Sequence, residues 1–306
     1  MTGWNTHDIP DQGGRTAVVT GANGGLGQVV ARELARKGAR VVLACRSETR
    51  GREAVARLAD EVPGAEVELR RLDLGDLASV REFARPWDRL DLLVNNAGVM
   101  AMPYGTTADG FETQFGVNHL GHFALTGLLM PALLAAPRAR VVTVSSMAHL
   151  LGNIDPGDLD SGRRYRRWVA YGRSKTANLL FTHELARRLE ASGARVTAAA
   201  AHPGYAATGL QTAGPRARGS RTAERLMSAG NRVLAQSAEA GALPVLYAAT
   251  APDVRPDSFT GPSLAMWRGA PAPSWRAPWT LDDRAGRRLW AESERLTGVS
   301  YDSLGS

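Results

Sequence analysis

The sequence predicts one α/β domain, a doubly wound parallel sheet of about seven strands with helices on both faces. Three observations carry this. Short runs of five to seven residues, apolar at their centres, recur along the chain, and each suits a strand buried on both faces of a parallel sheet. Helix-length segments with apolar residues three and four apart separate the runs. No internal repeat or low-complexity linker divides the 306 residues, so one domain is expected over 1–306, with its core at 15–266.

Taken in order, the candidate strands are 15–20, 40–44, 66–72, 90–95, 140–145 and 195–201. After the first, Leu26, Val29, Val30, Leu34 and Ala35 form a helical stripe that Gly38 closes. Regular alternation of strand and helix implies right-handed crossovers. Two regions interrupt it: a polar insertion at 150–167, and a stretch at 208–235 that opens rich in Gly, Pro and Arg. Loops at the carboxyl ends of parallel strands are where such sheets bind ligands, so 208–235 reads as a substrate loop. The C-terminal extension, 267–306, holds Trp267, Trp275, Trp279 and Trp290. It either covers the site or pads the fold.

With 44% hydrophobic and 22% charged residues, a large core is available and global disorder is excluded. The single cysteine, Cys45, forms no internal disulfide and suits a reducing compartment, so a cytoplasmic location is expected. Residues 1–15 lack an apolar signal region. The longest apolar stretch, 123–136, contains Pro131 and is too short for a membrane span. The net charge of +7 raises nucleic acid or acidic membrane as partners. However, Arg187 and Arg188 alternate with Glu190 as on a solvated face, and no nucleic-acid partner is expected. The basic cluster at 163–167 reads as exposed loop, with an anionic substrate or membrane surface as the alternative.

Chemistry gathers where strands end. Thr20-Gly21-Ala22-Asn23-Gly24-Gly25-Leu26-Gly27 joins the first strand to the first helix. Glycines there allow a tight turn and bring backbone amides to a pyrophosphate at the helix N-terminus. Arg46, where NAD enzymes commonly present a carboxylate, suits a 2′-phosphate, favouring NADP(H) over NAD(H). Arg50 is a second basic candidate. Asp73, beside Leu74, either accepts from an adenine amino group or caps the helix near Asp76. In Asn95-Asn96-Ala97-Gly98, small residues admit the cofactor, and the asparagines can tie strands together. Ser146 ends the fifth strand, and Tyr171 and Lys175 share one helix face four residues apart. A free tyrosine titrates at about 10; a neighbouring ammonium favours its phenolate and brings it toward neutrality. His119, His122, His149 and His202 lack a convergent carboxylate or cysteine, so no metal site is expected.

From 15 to 266 these motifs, in this order, resemble the short-chain dehydrogenase/reductase family. Thr20, Gly21, Gly25 and Gly27 match its glycine pattern; Asn95 to Gly98, Tyr171 with Lys175, and Pro203-Gly204 match the others. The resemblance implies a Rossmann fold and a tetrad of Asn118, Ser146, Tyr171 and Lys175. Tyr171 would exchange the proton with the carbonyl or alcohol oxygen, and Ser146 would hydrogen-bond that oxygen. Lys175 would lower the tyrosine pKa and hold the nicotinamide ribose, with Asn118 supporting a water relay. Ser146 is preferred to Ser145 because neighbouring strand side chains point opposite ways. Thr208 would contact the nicotinamide carboxamide, with Gly21, Asn23, Gly25, Leu26, Gly27, Arg46, Asp73, Leu74, Asn95, Ala97, Gly98, Pro203 and Gly204 lining the cofactor.

Asn118-His119-Leu120-Gly121-His122-Phe123, His202-Pro203-Gly204 and the long gap from Ser146 to Tyr171 resemble the retinol-dehydrogenase and protochlorophyllide-reductase-like branch. That implies NADP(H) and a bulky apolar ketone, aldehyde or alcohol as substrate; the missing animal-type anchor points to a bacterial enzyme. Reduction of a carbon–carbon double bond, a redox-neutral reaction and a non-turnover dinucleotide sensor are the alternatives. The resemblance also implies a homodimer or homotetramer through helices at 109–136 and 168–190; the 150–167 insertion leaves a monomer open.

Overall fold

The computed structural model describes residues 3–85, 87–155, 157–204 and 236–305. Its strands are β1 (Thr16–Thr20), β2 (Arg40–Cys45), β3 (Val67–Arg71), β4 (Leu92–Asn95), β5 (Ala139–Val144), β6 (Val196–Ala201), β7 (Phe259–Leu264) and β8 (Arg268–Pro273). They form an eight-stranded sheet in the order β3-β2-β1-β4-β5-β6-β7-β8. The order reverses between β1 and β4, and a crevice opens at such a switch point beyond the carboxyl ends of the strands.

All neighbours run parallel except β7 and β8. The sheet thus has eight strands where the sequence suggested about seven. Ala265 and Met266 both take positive φ, at 50° and 58°, and the Trp267 amide closes the turn onto the Leu264 carbonyl at 2.9 Å. Two such residues make a tight hairpin, so β8 returns antiparallel. Its Pro271 and Pro273 are tolerable because β8 is an edge strand.

Alternation along each central strand feeds two cores. Val18, Val42, Leu93 and Val141 face one side; Val19, Val41, Leu43, Val94 and Val142 face the other. The second side is covered by α1 (Gly25–Arg36), α2 (Glu48–Glu61) and the helix at Ala238–Thr250. On the first lie α3 (Leu77–Phe83), α4 (Thr113–Leu134) and α5 (Arg167–Ala191). Farther along the chain, α6 (Ala238–Thr250) and α7 (Asp283–Thr297) complete the set.

α4 is longer than the apolar stretch at 123–136 suggested. Its 22 residues are long and apolar enough to cross a membrane, with a mean hydropathy of 1.2 over an 18-residue stretch, yet 78% of that stretch is buried inside the protein. Helix α4 therefore has the character of a core helix. It contains one π turn, Gly116–Leu120, where the Gly121 amide reaches back to the Gly116 carbonyl.

The C-terminal extension pads the fold. Trp290, 2% exposed, meets Phe123 at 5.1 Å, stacks on Phe181 at 5.8 Å and touches Tyr301 at 4.4 Å. Arg188 lies 4.4 Å over the same indole, and His119 of α4 bonds Ser293 of α7 at 2.9 Å. The chain's own α7 thus covers α4 and α5.

Candidate active site

The turn after β1 leaves no room for a side chain at Gly21 or Gly27. Gly21 has a φ of +67°, and a Cβ there would come within 3.0 Å of Ala97. At Gly27 a Cβ would meet the Asn96 amide nitrogen and the Gly21 carbonyl oxygen, at 2.5 and 2.7 Å. Only glycine permits this packing of helix on strand. The turn is held from β4: the Asn96 side chain donates to the Thr20 carbonyl at 2.7 Å, and the Asn96 and Ala97 amides donate to the Thr20 hydroxyl, each at 2.9 Å.

Helix α1 then begins without a side-chain cap at Gly24 and without an acid in its first turn. Its free amides and positive dipole end suit an anion. Gly25 opens the helix, Leu26 is buried beneath it, and the Ala22 and Asn23 amides face the Cys45 sulfur. Burial pushes the Cys45 thiol up to about 11, which leaves it inert near neutrality.

Arg46 follows β2 directly and is exposed, as is Arg50. No carboxylate accompanies Arg46, and among the described residues its guanidinium has no partner. At the end of β3, Asp73 turns one carboxylate oxygen onto the Gly75 amide at 3.0 Å. The cap of α3 is Asp76, which accepts from Ala78 and Ser79. Leu74 is buried against α4.

Asn95 departs from the cofactor-lining expectation. It is 1% exposed, and its amide bonds the Thr126 hydroxyl in α4 at 3.0 Å. The last residue of β4 points into the core, and its neighbour Asn96 points at the glycine turn. Gly98 comes next, with Asn118 and Lys175 against it; a Cβ there would lie 3.0 Å from Asn118 Oδ1 and 3.7 Å from Lys175 Nζ.

The structure brings the expected tetrad into one neighbourhood. Ser146 follows β5 and is half-buried, while Ser145 is buried and donates to the Lys175 carbonyl at 2.9 Å. Alternation therefore aims only the second serine at the open side. Lys175 donates to the Val144 carbonyl at 3.1 Å and stands 5.7 Å from the centre of the Tyr171 ring. Asn118 spends its side chain on structure: it accepts from the Val99 amide at 2.8 Å and donates to the Val99 carbonyl and the Ser174 hydroxyl, each at 2.9 Å. Any relay through Asn118 must use its main-chain carbonyl.

The electrostatics run against the expectation for Tyr171. Burial pushes its hydroxyl up to about 12, with Ser146 pulling weakly the other way, and burial draws Lys175 down to about 8. The ammonium sits over the ring and on a carbonyl, so desolvation dominates at the phenol.

Pro203 and Gly204 follow β6, with Gly204 at a φ of +64° beneath the Trp267 carbonyl. Thr208 and the 208–235 loop lie outside the described residues. The 163–167 cluster is mostly exposed, but Tyr165 folds inward, donating to the Met102 carbonyl at 2.9 Å and accepting from Gln114 at 2.8 Å. Among the described residues no three His, Cys, Asp or Glu side chains converge as metal ligands. The histidines bond protein groups instead. Asn118 keeps His122 on its carbonyl at 3.0 Å, and Ser146 keeps His149 on its carbonyl at 2.7 Å. Sequence reasoning passed over these two pairs and over Thr20 and Ser174 as supports. The signal was the three- and four-residue spacing from each site residue.

A family model described as short chain dehydrogenase matches residues 15–218. The chain belongs to the short-chain dehydrogenase/reductase family, whose members carry out NAD(P)-dependent oxidoreduction of alcohols and carbonyls. Within it the likeness is to the retinol dehydrogenase branch. Retinol dehydrogenase 13 of Homo sapiens is 44% identical over 301 residues, covering 95% of this chain and 87% of that protein. Polyprenol dehydrogenase of Mus musculus is 43% identical over 301 residues, covering 95% and 86%. A crystal structure of an uncharacterised protein from Mycobacterium paratuberculosis is 46% identical, covers 98% of this chain and 99% of its own, and superposes with a TM-score of 0.82. One from Beutenbergia cavernae, described as an NAD(P)-dependent gluconate 5-dehydrogenase with NADP bound at low occupancy, is 28% identical, covers 78% and 91%, and has a TM-score of 0.59.

Proposed function

We propose that this chain transfers a hydride between NADP(H) and the carbonyl or alcohol carbon of a bulky apolar small molecule. The observation that carries the reading is the cluster of Ser146, Tyr171 and Lys175 beside the carboxyl ends of β4 and β5, next to a glycine turn suited to a pyrophosphate. Exposed Arg46, with no carboxylate beside it, supports a 2′-phosphate and hence NADP(H). The apolar substrate is supported by the rim next to Tyr171. Trp168, 41% exposed, stands edge-on to the tyrosine at 6.3 Å, and Leu151, 55% exposed, packs beside Gly172. Retinol and polyprenol, in the names of the relatives, agree with such a rim.

Bound NADP(H) supplies or accepts the hydride, and the side chains handle the proton. In reduction the Tyr171 hydroxyl donates its proton to the carbonyl oxygen while the Ser146 hydroxyl bonds the same oxygen. In oxidation Tyr171 takes the alcohol proton. Lys175 would hold the nicotinamide ribose. Asn118 keeps the segment at Gly98 against the helix that carries Tyr171. The single cysteine suits the cytoplasm as the site of action.

The test is fluorescence binding of NADPH and NADH, followed by turnover of a ketone, aldehyde and alcohol panel. Tyr171→Phe is expected to abolish turnover with NADPH affinity retained. Turnover in that variant would remove Tyr171 as the acid, and failure to bind either cofactor would overturn the assignment.

A further inference from the structure

His122 is buried in α4 and belongs to no metal group, yet its proton can be located by counting. The Thr20 hydroxyl accepts the Asn96 and Ala97 amides, so both its lone pairs are used. It has one proton to give, and the takers in reach are His122 Nε2 at 2.9 Å and the Val94 carbonyl at 3.3 Å. A protonated Nε2 would be a third donor on an oxygen with no lone pair left. Nε2 is therefore bare and accepts from Thr20. The ring carries its proton on Nδ1, which donates to the Asn118 carbonyl at 3.0 Å. Burial, with the Lys175 ammonium adding to it, draws the ring down to about 4, so it stays neutral across the working range.

That bond falls where α4 needs it. The π turn at Gly116–Leu120 departs from the regular ladder around Asn118, and a side chain one turn on supplies a donor to its carbonyl. The Asn118 side chain meanwhile joins Val99 to Ser174, one residue from Lys175. A chain of bonds thus runs from the amides beside the glycine turn, through Thr20, His122 and Asn118, to the helix bearing Tyr171 and Lys175.

We propose that His122 is a positioning residue, a neutral ring protonated on Nδ1 that sets Asn118 in place between the cofactor turn and the helix of Tyr171 and Lys175. Its effect on turnover rests on the acid–base roles given to those two residues. The tautomer itself does not.

Two measurements test it. In the full chain labelled with ¹⁵N-histidine, the resonances lost in His122→Asn belong to His122. They are expected to show a protonated Nδ1 and a bare Nε2, unchanged from about pH 5 to about pH 8. An Nε2–H tautomer or an imidazolium in that range would overturn the proposal, whether or not the protein turns over any substrate. In kinetics, His122→Phe keeps a ring but no donor and is expected to lower kcat roughly tenfold to a hundredfold with NADPH affinity kept. His122→Asn places an amide N–H where Nδ1 stood, leaving the Thr20 proton to the Val94 carbonyl, and is expected to recover most of that loss. Equal losses in both variants, or a loss in neither, would overturn the positioning role. Absent turnover in the unaltered chain would instead count against the proposed function and leave the tautomer result standing.

Discussion

At the residue scale, Arg46 and Tyr171 carry the two sharpest consequences. Arg46 follows β2, exposed and, among the described residues, without an acid beside it, so one substitution should decide the cofactor. Arg46→Asp removes the partner of a 2′-phosphate and adds an acceptor for ribose hydroxyls. The expected shift in the NADPH-to-NADH ratio of kcat/KM is about 1.5–3 kcal/mol, roughly tenfold to a hundredfold. An unmoved ratio would free Arg46 from that role. For Tyr171, burial raises the hydroxyl to about 12, which keeps it protonated near neutrality and ready to donate. In the oxidative direction it must first lose that proton, so alcohol oxidation is expected to keep rising as the pH climbs above neutral, while carbonyl reduction does not. A flat oxidative profile above neutral pH would count against Tyr171 as the base.

At the element scale, α7 is the part least visible in advance. Its own stripe is amphipathic, with Leu289, Trp290, Ser293 and Thr297 buried, and Asp282 and Gly298 cap its ends. Nothing local says which surface it covers. Packing on α4 and α5 follows because Phe123, Phe181 and Tyr301 leave an aromatic gap that Trp290 fills. Trp290→Ala is expected to cost about 3–5 kcal/mol in urea unfolding. Trp275→Ala, at a side chain 56% exposed, should stay within about 0.5 kcal/mol. Equal costs would mean that α7 docks some other way. The motifs of the site were legible because each is confined to one turn or one strand end. The supports Thr20 and Ser174 were not, since the Asn96, Ala97 and Asn118 groups that bond them lie on other elements.

At the scale of the whole molecule, one ionic cluster joins segments distant in sequence. His183 on α5 bonds Asp257 at 2.7 Å and Asp283 at 2.9 Å, and Arg276 adds two bonds to Asp257. The bond to Asp257 raises the His183 pKa above its ordinary 6.5, although burial opposes it. Burial also acts against Asp257, but His183 and Arg276 hold its carboxyl below the usual range. The histidine contribution is therefore complete below about pH 6.5 and is lost as the pH rises through the higher folded value; that of Asp257 is lost only in acid. His183→Ala is thus expected to lower Tm more at about pH 5.5 than at about pH 8.5. An equal gap at both would mean that His183 folds uncharged. The same cluster fastens α7 to α5 through His183 and Asp283.

The alternation of apolar runs and helical stripes was enough to define a doubly wound sheet, because burial on two faces leaves its period in every strand and helix. The glycine turn, Arg46, Ser146, Tyr171 and Lys175 were readable for the same local reason. Tertiary structure alone decided the rest. It turned Asn95 into the core, committed the Asn118 side chain to Val99 and Ser174, made β8 an antiparallel edge and set Lys175 over the tyrosine ring. Those outcomes depend on which distant groups arrive within a few ångströms and on the water they exclude. Spacing along one chain carries neither.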